Sequence, residues 1–146
     1  MWRVAKSLNV LLGEINHYAP LRSKVSDGSI GDASHASRSS DHNPWVKDGG
    51  VGIVTARDFT HDPAHGFDSY KFADWLKDHK DPRLKYVISN RRIWNPSVSP
   101  LWRPYYGINP HNHHVHVSVL PDKAHYDSIT PWDVAGFFEP TPTPVA

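Results

Sequence analysis

Three short stretches concentrate side chains able to bind a metal or move a proton: Ser40-Asp41-His42-Asn43-Pro44, Ala56-Arg57-Asp58-Phe59-Thr60 and His111-Asn112-His113-His114-Val115-His116. A catalytic zinc site takes three protein ligands from His and Asp or Glu and leaves one position open. Two neutral imidazoles and one carboxylate leave the centre with a net positive charge. That charge lowers the pKa of water and polarises a carbonyl. The third stretch is the densest, with four histidines in six residues. If Val115 lies on a strand, His114 and His116 point to one face, because side chains alternate with a period of two. Two imidazoles can then approach one metal, or one can bind it while its neighbour handles protons. His113 falls on the opposite face of such a strand and needs a bend to join them.

Other residues compete for these roles. Asp41 and Asp62 are rival carboxylates, and His35, His61 and His65 are rival imidazoles. Asp58 directly follows an apolar strand pattern and is better held than either rival. His17, His79 and His125 stand alone and read as surface or core residues. Arg38, two residues before Ser40, and Arg22, which opens a Ser-rich stretch, are candidates to hold a substrate carboxylate or an oxyanion. Ser40 lies beside them. Trp102, Tyr105 and Tyr106 precede the His cluster and read equally well as cleft lining or as core.

Composition narrows the chemistry. The chain has 146 residues, eleven histidines, six tryptophans and no cysteine. The length fits one domain with a real core. Without cysteine, disulfides, thiolate zinc, iron–sulfur clusters and thiol nucleophiles are excluded. Sixteen basic against fifteen acidic side chains give a formal net charge of +1, which makes no case for nucleic acid or acidic membranes as partners. No run of eighteen apolar residues occurs, and the N-terminal residues do not open a signal peptide.

The elements that must position the three stretches follow from periodicity. Val4, Leu8, Leu11, Leu12 and Ile15 form one apolar helical face, which Asn16, His17 and Pro20 stop. Residues 22–43 read as a long loop, rich in Ser, Asp, Gly and Ala. The turn Asp48-Gly49-Gly50 leads into a buried strand over 51–56. Asp68 or Ser69 caps a helix carrying Phe72, Trp75 and Leu76 to about His79. Leu84–Ser89 and Arg92–Trp94 predict a hairpin around Asn90, residues 115–120 a further strand, and 132–138 a short turn that packs aromatics onto the core. Glu139 opens a Thr/Pro alternation, an extended spacer. The expectation is an α+β fold: one domain over 1–138, with a small antiparallel sheet carrying the metal and helices on one side. Residues 139–146 are then a linker to a C-terminal module.

Ser-x-His at Ser40–His42, Ala-x-Asp at Ala56–Asp58 and His-x-His at His114–His116 occur in the order found in zinc peptidases of peptidoglycan. The chain resembles the D-Ala-D-Ala carboxypeptidase and endopeptidase family, whose zinc fold is shared with the penicillin-insensitive murein endopeptidases and the Hedgehog signalling domain. With Ser40-Asp41-His42-Asn43-Pro44 it is most similar to the variants found as N-terminal domains of actinobacteriophage endolysins. The resemblance runs from the first helix to about Leu120, although its specific motifs are short.

The resemblance implies Zn2+ held by His42, Asp58 and His116. It also implies hydrolysis of an amide in the stem peptides or cross-links of bacterial peptidoglycan by a monomeric enzyme. Such a lysin waits in the host cytoplasm and then acts on the wall, where a C-terminal module would give it avidity. Two departures stand out. Relatives usually carry Asp or Glu three residues before the last ligand, as general base, where this chain has His113. His111, His114 and His116 instead reproduce the His-x-x-His-x-His spacing of the murein endopeptidases, so the base is open among His113, His114 and His111. His42 and Asp58 are also sixteen residues apart rather than the usual seven, and residues 45–50 read as a hairpin extension between them. Two other functions compete: a metal-dependent nuclease, which the near-zero charge disfavours, and a non-catalytic, zinc-stabilised wall-binding module of the same fold.

Overall fold

In the computed structural model, residues 1–29, 40–107 and 109–139 are described. They form one small α+β domain built on two sheets. Strand β1 (Trp2–Val4) leads into helix α1 (Lys6–Tyr18), and β2 (Val46–Asp48) and β3 (Val51–Val54) form a hairpin. These strands make a three-stranded sheet in the order β1-β3-β2, with β1 parallel to β3. The five-stranded sheet has the order β4-β8-β5-β6-β7, antiparallel throughout. Its strands are β4 (Ala56–Thr60), β5 (Leu84–Ser89), β6 (Arg92–Trp94), β7 (Arg103–Pro104) and β8 (His114–Val119). Helix α2 (Ser69–His79) precedes β5, and the short helices α3 (Lys123–Tyr126) and α4 (Ala135–Phe138) follow β8. Among the described residues, no helix is long and apolar enough to cross a membrane.

The pleat divides the large sheet into two chemically different faces. Phe59 of β4, Val87 of β5 and Val115, Val117 and Val119 of β8 join Leu8, Leu11 and Ile15 of α1 and Phe72, Ala73 and Leu76 of α2 in one core. The intervening residues, Asp58 on β4 and His114, His116 and Ser118 on β8, point the other way. The register pairs Asp58 with His116. The two helices therefore cover one face and the histidines occupy the other.

The local signals explain most boundaries. Asp68 caps α2 by accepting from the Tyr70 and Lys71 amides at 3.0 and 3.1 Å. Gly49 and Gly50 both have positive φ, at 56° and 84°, as the two-residue turn of the β2–β3 hairpin requires. Asn90 and Arg91 play the same part between β5 and β6, with φ of 47° and 66°. Trp132 is fully buried, and Phe138 stacks on Tyr18 with ring centroids 5.0 Å apart. His17 and His79 are ring neighbours of Tyr18 and Trp75, and His125 pairs with Asp122.

Three expectations are corrected. Val4 ends β1 instead of starting the helix, because Trp2–Val4 finds a parallel partner in β3 and the Ala5 amide bonds to the Val54 carbonyl at 3.0 Å. The apolar run over 51–56 is not one strand: it breaks at Thr55, whose carbonyl accepts from Val119, so the chain passes from one sheet to the other. The strand expected over 115–120 starts and ends one residue earlier, at His114 and Val119.

Helix α2 also ends on a non-glycine residue in the left-handed region, Lys80 at φ 56°. Lys80→Gly is expected to stabilise the protein by about 0.5–1 kcal/mol, because glycine carries no Cβ penalty there. Urea unfolding checks this, with a higher midpoint at unchanged slope as the expected outcome.

Candidate metal centre

The three separate stretches of sequence converge on Asp58. His42 Nε2 lies 3.2 Å from Asp58 Oδ1 and 3.1 Å from His116 Nδ1, and His116 Nδ1 lies 3.2 Å from the same Asp58 oxygen. All three side chains are largely buried, with 7%, 13% and 4% of their surfaces exposed for His42, Asp58 and His116. The three atoms form a nearly equilateral triangle. Ligands about 2.0–2.1 Å from a tetrahedral zinc stand about 3.3 Å from one another. The donor set fits the cation in type and in spacing.

The outer hydrogen bonds orient the donor atoms toward the centre of the triangle. His42 Nδ1 meets the Ser29 carbonyl at 2.8 Å, and a carbonyl only accepts, so Nδ1 carries the proton and Nε2 presents a lone pair. His116 Nε2 meets Ser118 Oγ at 2.8 Å, and Nδ1 faces the centre. The His42 lone pair, the Asp58 carboxylate and His116 Nδ1, facing one another, need a metal ion or a proton between them. Burial opposes ionisation of Asp58, but the adjoining His116 and His42 imidazoles outweigh it and hold the carboxyl far below the ordinary range. Burial likewise opposes protonation of His42, and Asp58 reverses the balance and raises its pKa; at His116 burial prevails and the pKa falls.

No family model, curated protein or solved structure matches this chain.

Around the triangle stand two further imidazoles. His114 Nε2 lies 3.2 Å from Asp58 Oδ2, and the His111 ring lies edge-on to both His114 and His116 at 5.0 and 5.2 Å. Both His114 nitrogens and His111 Nδ1 are buried without a hydrogen-bond partner. Burial pushes His114 down, and burial reinforced by the neighbouring His116 pushes His111 down to about 3. Both rings are neutral near neutral pH. His113 is turned outward and exposed. It lines a cleft of about 360 Å3 with Thr60, His61, Asp62, His65 and Asn112, and its carbonyl accepts from the His61 amide. Among the described residues, no hydrogen bond or ion pair joins His113 to the triangle.

The remaining candidates separate cleanly. Arg22 is 3% exposed, and its guanidinium pairs bidentately with Asp27 at 2.7 and 2.8 Å and bonds to Asn16 and the Ser23 carbonyl. Asp27 also accepts from the Thr60 amide and hydroxyl, so this pair ties the 22–28 segment to β4. Expected as a substrate arginine, Arg22 is instead a structural one. Ser40 accepts the His42 amide through its hydroxyl at 3.2 Å and so shapes the turn that carries this ligand. Arg38 and His35 lie outside the described residues, as do residues 140–146 of the Thr/Pro segment. The rival ligands are engaged elsewhere: Asp41 with Lys85, Asp62 with the Ser23 amide and His65, and His61 with Ser69. Tyr105 lies edge-on to His111 at 5.6 Å, whereas Tyr106 is exposed and Trp102 bonds to Asp74.

These pairings give a testable order of events in acid. Metal binding needs neutral imidazoles, and Asp58 pulls the His42 pKa above its ordinary value, so protons compete with the cation as the pH falls. Asp27 and Asp127 behave differently. Burial opposes their ionisation, but Arg22 and Arg3 outweigh it and hold both carboxyls below the ordinary range. A depressed carboxylate stabilises the fold above the unfolded value of about 4, and that stability is lost as pH falls further. Metal release is therefore expected at a higher pH than unfolding. Metal content and circular dichroism measured on one acid titration check this, and coincident transitions would show that unfolding releases the metal.

Proposed function

We propose that this protein is a zinc-dependent peptidase that hydrolyses an amide bond in the stem peptides or cross-links of bacterial peptidoglycan, as the lytic domain of a phage endolysin. The observation that carries the reading is the triangle of His42, Asp58 and His116 atoms, each 3.1–3.2 Å from the others, with the His42 lone pair turned inward. The peptidoglycan assignment is supported by the order of Ser40-x-His42, Ala56-x-Asp58 and His114-x-His116. The proposed setting is the host cytoplasm before lysis and the wall afterwards, with the chain working as a monomer.

When bound, zinc supplies the Lewis acidity that activates water and polarises a carbonyl. The chain's own residues do the rest. His42, Asp58 and His116 would hold the ion. His114, neutral and beside Asp58 Oδ2, serves as general base, accepting the proton of the attacking water and returning it to the leaving amine. His111 packs against it and keeps that side of the site dry. With Arg22 committed to Asp27, Arg38 is the arginine proposed to meet the substrate's negative charge.

The test is digestion of purified peptidoglycan followed by mass spectrometry of the fragments, in which each cut leaves one new amine and one new carboxyl. His114→Ala is expected to keep its zinc and lose hydrolysis by about 10²–10⁴-fold, the usual worth of a general base. His113→Ala is expected to stay near wild type. Zinc-loaded wild type that binds walls but releases no fragment would overturn the catalytic reading, and nicking of a plasmid would favour a nuclease.

A further inference from the structure

His116 presents Nδ1 to the triangle, the nitrogen nearer its backbone, while His42 presents Nε2. Ligation through Nδ1 fixes the ring plane close to the strand, so small rotations move the lone pair off the cation. The ring is held on several sides. Tyr86 stacks on it nearly parallel, at 5.3 Å and 6°, while His42 and His111 approach edge-on at 4.8 and 5.2 Å. Tyr86 reaches this position because β5 and β8 pair it directly with Ser118, on the face that carries His116.

The contact between His116 Nε2 and Ser118 Oγ does not by itself settle the tautomer, since a hydroxyl both donates and accepts. If Ser118 donated, the His116 proton would sit on Nδ1 and block the centre. A His116 Nδ1 that serves the triangle as a metal ligand carries a lone pair, which leaves the ring proton on Nε2 and makes Ser118 Oγ its acceptor. The Tyr86 ring, stacked on the imidazole, holds the plane in which that hydrogen bond forms.

We propose that Ser118 and Tyr86 are positioning residues: Ser118 accepts from His116 Nε2 and so sets its tautomer, and the stacked Tyr86 ring sets its plane, so that Nδ1 faces the metal with its lone pair. The proposal rests on the reading of His42, Asp58 and His116 as a metal site, and its test keeps the two apart.

Zinc affinity by chelator competition and the His116 tautomer by long-range 15N NMR of the zinc-loaded protein are measured for wild type, Ser118→Ala, Ser118→Thr and Tyr86→Phe. Ser118→Ala should lose about 10–100-fold in zinc affinity, as when an outer-shell partner of a ligating histidine is removed. Ser118→Thr, which keeps the hydroxyl, should recover most of it. Tyr86→Phe, which keeps the stacked ring, should stay near wild type. The wild-type spectrum should show Nδ1 ligated and Nε2 protonated. Wild-type affinity and an unchanged Nε2–H signal in Ser118→Ala, or ligation through Nε2 in wild type, would overturn the positioning role while leaving the metal site standing. Wild type that takes up no zinc would overturn both.

Discussion

Asp58→Asn is expected to empty the metal centre and abolish hydrolysis while leaving the fold intact. Asp58 is the only anionic member of the triangle and touches His42, His116 and His114 at 3.2 Å each. Its replacement by a neutral amide removes the charge that offsets the cation and places an N–H among lone pairs. The loss in zinc affinity should exceed the roughly 100-fold that outer-shell changes alone produce. The Asp58 amide still bonds to the Gly28 carbonyl at 2.8 Å and β4 keeps its ladder to β8, so far-UV circular dichroism should be unchanged. Metal analysis after dialysis against micromolar zinc decides the matter. One zinc per chain in Asp58→Asn, with hydrolysis retained, would remove Asp58 from the site.

The largest loss of stability is expected from Trp132→Ala. Trp132 is fully buried, its Nε1 donates to the Ser7 carbonyl at 2.8 Å, and the Arg83 guanidinium lies 3.9 Å from its ring centroid. Its amide also donates to the Glu14 carboxylate at 3.0 Å, so this one residue fastens the segment after α3 to both ends of α1. Truncation leaves a large cavity and should cost about 3–5 kcal/mol. A fall in Tm of about 10 °C or more is expected for a domain of this size. None of these contacts involves the triangle, so the folded fraction should still bind one zinc. Denaturant unfolding together with metal content separates this variant from Asp58→Asn, which should show the reverse pattern.

The elements with local causes were legible from the residues. Asp68, the Gly49-Gly50 pair and Asn90 each act on the few residues around them, and α2 and both hairpins follow from that. What escaped was set by distant partners. Trp2–Val4 is a strand only because β3 lies alongside it, and Thr55 breaks an apolar run only because two sheets meet there. The site divides in the same way. Alternation along β8 put His114 beside His116 and kept His113 away, and the register of β4 on β8 placed Asp58 opposite His116. The commitment of Arg22 to Asp27 could not be read from a Ser-rich stretch with no periodicity. Nor could the roles of Ser118 and Tyr86, because they depend on which strands pair. Ser118 did carry one signal, its place two residues after His116 on the same face.

The alternation His114-Val115-His116-Val117-Ser118-Val119 makes β8 a two-sided record: one parity builds the metal face and the other builds the core. A single-residue slip of this strand against β4 or β5 would exchange the two faces, burying imidazoles among the apolar side chains of α1 and α2 and presenting valines to Asp58. Such a slip damages the core and the site together. A chain that folds out of frame is therefore expected to take up no metal ion, and metal content measured on refolded protein checks this. For the same reason, an insertion or deletion of one residue between His114 and Val119 should be far more damaging than one in the β2–β3 hairpin, where the chain can lengthen without changing which side chains face the metal.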